Sequence, residues 1–80
     1  MTNTIKCGLY DHFEVACVRQ SEVSLELHNG ETHVGIARGL KTKQGKEFLL
    51  LSAEGITREI DLMSIDVLVF VKSGDRISIF

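Results

Sequence analysis

Eighty residues with 44% apolar content can build one small core but not an enclosed catalytic cavity, so the chain reads as a single domain spanning 1–80. Nine basic against eleven acidic residues give a formal charge of −2, without the basic excess of a domain that grips a phosphate backbone. No apolar run approaches the roughly eighteen residues that cross a bilayer, and the start MTNTIKCGLY has neither the basic opening nor the apolar stretch of a secretory leader, so the expected location is the cytoplasm.

Cys7 and Cys17 then stay reduced, and their spacing fits neither a redox pair nor a zinc knuckle; they read as small hydrophobes. Residues 1–8 are polar, end in Gly8 and are expected to form a flexible lead-in. A helix follows. Leu9, Phe13, Ala16 and Cys17 gather on one side of its wheel, with Tyr10 at the edge of that stripe. Asp11 and Glu14 lie beyond Tyr10 as an exposed acidic strip. Part of that acid is explained by folding, because a carboxylate in the first turn complements the helix dipole.

From Val23 the period becomes two. Val23, Leu25 and Leu27 point one way, and Ser24, Glu26 and His28 the other, which predicts a half-buried strand. Asn29-Gly30 signals a two-residue hairpin leading into a second strand over Glu31 to Leu40. That turn pairs His28 with Glu31 and sends Thr32, Val34 and Ile36 to the buried face. Lys41 to Lys46, KTKQGK, reads as a basic loop. Phe48 to Ala53 is a third strand, Glu54-Gly55 a turn, and Thr57 to Leu62 a fourth strand with Ile60 and Leu62 inward. Met63-Ser64-Ile65 reads as a single turn, Asp66 to Val71 as a fifth strand, and Arg76 to Phe80 as a short edge strand after Ser73-Gly74-Asp75. The class expected is mainly β: a small bent barrel of five to six antiparallel strands, with the N-terminal helix buried across its mouth.

Little in this chain looks catalytic. Serine nucleophile motifs, phosphate-binding glycine loops and H-E-x-x-H are absent, so no enzyme activity is expected and no cofactor is implied. Glu26, His28, Glu31 and His33 share the outward face of the first hairpin in the register above. They read as cross-strand pairs, Glu26 with His33 and His28 with Glu31, rather than as metal ligands. His12 is a lone helix residue, expected to be exposed, without a sequence partner. KTKQGK could touch phosphate but has no interleaved aromatic residue to stack a base.

The sequence resembles the Rho-binding antiterminator (Rof) family, bacterial modulators of Rho-dependent transcription termination. The resemblance runs from Ile5 to about Ile65. It is carried by I-x-C at Ile5 to Cys7, Tyr10-Asp11 with Glu14 and Ala16-Cys17, Leu25-Glu26-Leu27 with Gly30-Glu31, Glu47-Phe48-Leu49, and Gly55 with Thr57-Arg58-Glu59. It implies an Sm-like barrel with an N-terminal helix. It also implies an inhibitor that binds the N-terminal RNA-binding domain of the termination factor Rho and blocks RNA loading at the primary binding sites. Tyr10, Asp11 and Glu14 match the helix positions assigned to that contact, with Lys46 and Glu47 as further loop contacts. Two carboxylates beside a tyrosine suit a basic, base-stacking surface. A monomer without direct nucleic-acid binding is expected when the protein is free.

The Sm-like resemblance brings an alternative, a small RNA-binding barrel or RNA chaperone. Leu62-Met63-Ser64-Ile65 lacks the basic signature that such proteins carry after the fourth strand. A structural subunit assembling through Val67, Val69 and Val71 is a third reading.

Overall fold

Four glycine turns and one helix cap divide the chain. The computed structural model describes residues 7–79, with side chains from Tyr10 onward. Helix α1 covers Cys7–Val18 and is followed by β1 (Glu22–Leu27), β2 (Thr32–Lys43), β3 (Lys46–Ala53), β4 (Ile56–Asp61), a 3-10 turn (Leu62–Ser64), β5 (Ile65–Phe70) and β6 (Asp75–Ser78). All six strands are antiparallel neighbours in one sheet of order β4-β3-β2-β1-β5-β6. The mainly β class with an N-terminal helix is as expected. Closure is not: β4 and β6 end the sheet, and no ladder joins them among the described residues.

The helix begins earlier than its pattern suggested, with Cys7 and Gly8 inside it rather than in a lead-in. Asp11 therefore lies beyond the first turn, which contains no acidic residue, and the dipole does not account for it. Phe13 and Ala16 are fully buried, Cys17 is half-buried and free, and His12 is half-buried rather than exposed. The expected burial of Leu9 and the pattern at Ile5 to Cys7 fall outside the described side chains. At the far end, the amide of Ser21 donates to the Ala16 carbonyl at 2.9 Å and that of Gln20 to Cys17 at 3.1 Å, with Gln20 at φ +49. This is a Schellman cap with glutamine in the left-handed position that glycine usually takes.

The first hairpin corrects the expected register. The amide of Gly30 donates to the Leu27 carbonyl at 3.0 Å and that of Leu27 to Glu31 at 2.9 Å, so the loop is His28-Asn29-Gly30, with Gly30 at φ +89. One extra loop residue moves every pairing by one: Leu25 faces His33 and Val23 faces Gly35. Gly35 and Ala37 are therefore the inward residues, whereas Thr32 and Val34 are exposed and Ile36 is half-buried. The expected ion pairs change with it. His33 turns to the face of Leu25, with Nε2 3.2 Å from Glu31. His28 pairs with Asp66 and lies 2.7 Å from the Met63 carbonyl, and Arg76 binds Glu26 at 2.9 Å. The four residues do not form one cluster, and among the described residues no three potential ligands gather for a metal.

KTKQGK is likewise mostly strand. Lys41 to Lys43 extend β2 and Lys46 opens β3, leaving Gln44-Gly45 as a two-residue turn with φ +52 and +78. Both positive angles suit the type I′ hairpin. In the described part of the last segment, β6 stops at Ser78; Phe80 is not described.

Two bulges bend the sheet. Arg38 is an extra residue in β2 opposite β3, and Asp66 an extra residue in β5 opposite β1. Gly35 marks a sharp fold in β2, because a Cβ there would lie 2.6 Å from the Ser52 carbonyl oxygen of the adjacent strand. The bend lets strands from both ends of the sheet share one core: Leu49, Leu51, Ile60 and Leu62 from one side meet Leu68 and Ile79 from the other, with Phe13 among them. No described helix is long and apolar enough to cross a membrane.

Candidate protein-binding site

The helix and the start of β3 meet at one polar spot. Glu47, Leu49 and Leu51 lie on one side of β3; the two leucines enter the core, and Glu47 ends the row half-buried beneath α1. Its Oε2 accepts a 2.5 Å hydrogen bond from the Tyr10 hydroxyl. Two residues 37 positions apart are thus joined, and the bond fixes the helix edge to the β2–β3 hairpin. Nothing local in the sequence marks this pair. Its only signal is that each stands at the rim of an apolar stripe.

Around that bond, the side chains of Asp11 and Glu14 are exposed and make no hydrogen bond or ion pair among the described residues. Glu14 sits one turn from Tyr10. Lys46 is exposed and points away from the Glu47 side of β3. The five sequence-derived residues therefore divide: Tyr10, Glu14 and Glu47 form an electrostatic unit with Asp11 beside it, and Lys46 stands apart. Sequence reasoning also missed the ion pairs of Glu59, which binds Lys41 at 3.0 Å and Lys43 at 3.7 Å. These pairs leave two lysines of KTKQGK already engaged. They hold the Glu59 carboxyl below its usual range, through the Lys41 hydrogen bond first.

The Tyr10 phenol is pushed from 10.0 up to about 12, first by its bond to the Glu47 carboxylate, then by burial and by the charges of Glu47 and Glu14. Burial and then Glu14 also push the Cys17 thiol up. A raised phenol favours the fold while it stays neutral. Its contribution is complete below about pH 10 and is lost as pH climbs toward about 12. Tyr10 is the only tyrosine and there is no tryptophan, so phenolate absorbance reports it alone. The expected midpoint is near 12, returning toward 10 in Glu47→Gln; a normal midpoint in the wild-type chain would show that the bond is not formed in solution.

The arrangement can present negative charge and an aromatic edge. It holds no described nucleophile–base pair. Comparison with known proteins gives the context. The family model of modulators of Rho-dependent transcription termination (ROF) matches residues 4–78. Protein rof of Escherichia coli K12 is 38% identical over 58 residues, covering 72% of this chain and 69% of that protein, and Protein rof of Shigella flexneri gives the same values. Among solved structures, YaeO bound to magnesium from Vibrio cholerae O395 is similar, with a TM-score of 0.71 and 25% identity over 78% of this chain and 82% of that one. With a match over nearly its whole length and relatives of this identity, the chain belongs to the family of modulators of Rho-dependent transcription termination.

Proposed function

We propose that the protein inhibits Rho by binding its N-terminal RNA-binding domain and keeping transcript from the primary binding sites. The observation that carries this reading is the acidic face of α1, which has no partner among the described residues, in a member of this family. Asp11 and Glu14 lie exposed beside a Tyr10 that Glu47 holds in place. An RNA-binding surface is basic and accepts bases on apolar or aromatic groups, so carboxylates next to a phenol ring match it in charge and in stacking. Lys46 would contact the rim. On this reading the protein acts by occupancy, as a cytoplasmic monomer without chemistry of its own or a cofactor. Its sheet would be of the strongly bent Sm type, a reading supported by the close approach at Gly35 and by the core shared between the two sheet ends.

Asp11→Lys combined with Glu14→Lys is expected to weaken binding to the isolated N-terminal domain of Rho by about 2 kcal/mol or more, roughly 30-fold. Circular dichroism should stay unchanged, since both side chains are exposed. Unaltered affinity in a folded double variant would remove the helix face from the interface. Wild-type association should also slow as salt rises. Tight binding of uridine-rich RNA by the free protein in a gel shift would favour the RNA-chaperone reading instead.

A further inference from the structure

At the other end of α1 from Tyr10, about 12 Å along the helix axis, lies a cleft of about 430 Å³ whose lining includes Arg19, Glu22, Ile36, Phe70 and Lys72. Four stretches build it: the cap after α1, the start of β1, Ile36 of β2, and the end of β5 with the turn that follows. Backbone bonds hold them together. The amide of Ala37 donates to the Ser21 carbonyl at 3.0 Å, that of Val71 to Glu22 at 3.1 Å, and that of Gly74 to Phe70 at 2.7 Å.

The chemistry of the walls is mixed in a specific way. The side chains of Arg19, Lys72 and Glu22 are exposed, and none of the three makes a hydrogen bond or ion pair among the described residues. Lys41, Lys43 and Arg76, by contrast, are already held by carboxylates. Arg38 adds a third cation at the rim, where it donates to the Gln20 side chain at 2.6 Å. Glu22 and Asp75, the latter bound by the Ser73 hydroxyl at 3.0 Å, are the opposing carboxylates. Three cations against two anions leave a net positive mouth. Half-buried Phe70 and Ile36 supply an apolar floor.

A bare inorganic anion would use the cations and ignore the ring; an apolar ligand would use the ring and leave the cations idle. The ligand class that uses every wall carries a phosphate, a flat ring and ring-edge N–H donors. Pockets for small ligands begin near about 300 Å³, so there is room for one such unit. We propose that this cleft binds a nucleoside phosphate. Arg19 and Lys72 take the phosphate, Phe70 takes the base face, and Glu22 accepts from the base edge. The site is separate from the acidic face and does not rest on the Rho reading. It revises the expectation of no nucleic-acid contact at one position only, since the source of the nucleotide can be free or part of a single strand.

The test is a titration of the full isotope-labelled chain, followed by amide NMR, with guanosine monophosphate, inorganic phosphate and a single-stranded pentanucleotide. Guanosine monophosphate is expected to shift the amides of Ser21, Glu22, Lys72 and Ser73 saturably, at least about tenfold tighter than phosphate. Arg19→Gln with Lys72→Gln should abolish the shifts without lowering the melting temperature. A pentanucleotide that binds tighter than the mononucleotide assigns the site to a strand, and equal or weaker binding assigns it to free nucleotide. No cleft shift up to about 10 mM, equal affinity for phosphate, or an unaffected double variant would each overturn the proposal.

Discussion

Phe13→Ala is expected to cost about 3–5 kcal/mol, the range for removing a fully buried phenyl ring and leaving its cavity. Phe13 is 0% exposed and is the larger of the two fully buried helix residues described, in a core cluster with leucines from both ends of the sheet. A domain of this size has a total stability of about 4–12 kcal/mol, so the loss removes a large share of it. At about 4–8 °C per kcal/mol, the melting temperature should fall by at least about 12 °C. Urea unfolding monitored by circular dichroism measures it. A loss under about 1 kcal/mol would mean that the helix is not docked as described.

Gly35→Ala is the second large effect, and it arises from one added methyl group. The new Cβ would lie 2.6 Å from the Ser52 carbonyl oxygen and 3.0 Å from Leu51 Cγ. A backbone oxygen cannot swing aside as a side-chain tip can, so β2 and β3 must separate at their fold. The expected cost is about 1–3 kcal/mol or more. Gly39→Ala in the same strand is the control, because its Cβ would meet only Leu50 Cδ1, at 3.9 Å. That variant should stay within about 0.5 kcal/mol of wild type. Equal stability of the two variants would contradict the close approach at Gly35.

Much of the fold was legible because period is local. Val23 and Leu25 alternate with polar neighbours and are buried; Phe13 and Ala16 share one helix face and are buried. The resemblance rested on motifs spread along the chain, and the family followed from it. What could not be read depends on tertiary placement. Asn29-Gly30 is the signature of a two-residue turn, but the Asp66 bulge and the bonds of His28 to Asp66 and the Met63 carbonyl lie beside a three-residue loop. KTKQGK is polar because Lys41 and Lys43 stand exposed on β2 and reach across β3 to Glu59 of β4, not because the chain loops out there. At the candidate site, the exposure of Asp11 and Glu14 followed from the wheel. The Tyr10–Glu47 bond did not, since its partners come from separate elements.

The three-residue loop works like a change of reading frame. Inward positions in β2 would be even-numbered after a two-residue turn, and the additional loop residue makes them odd, so Gly35 and Ala37 are the ones enclosed. The extra Arg38 then shifts the frame a second time, and Leu40, again an even position, packs on the core opposite Leu49. Two shifts of one cancel. Only the stretch between them is inverted, and that stretch contains the fold at Gly35, where the side chain of an even-frame Val34 or Ile36 could not fit. Deleting one loop residue would therefore be felt not at the loop but along the strand as far as Arg38, where small inward residues would trade places with Val34 and Ile36.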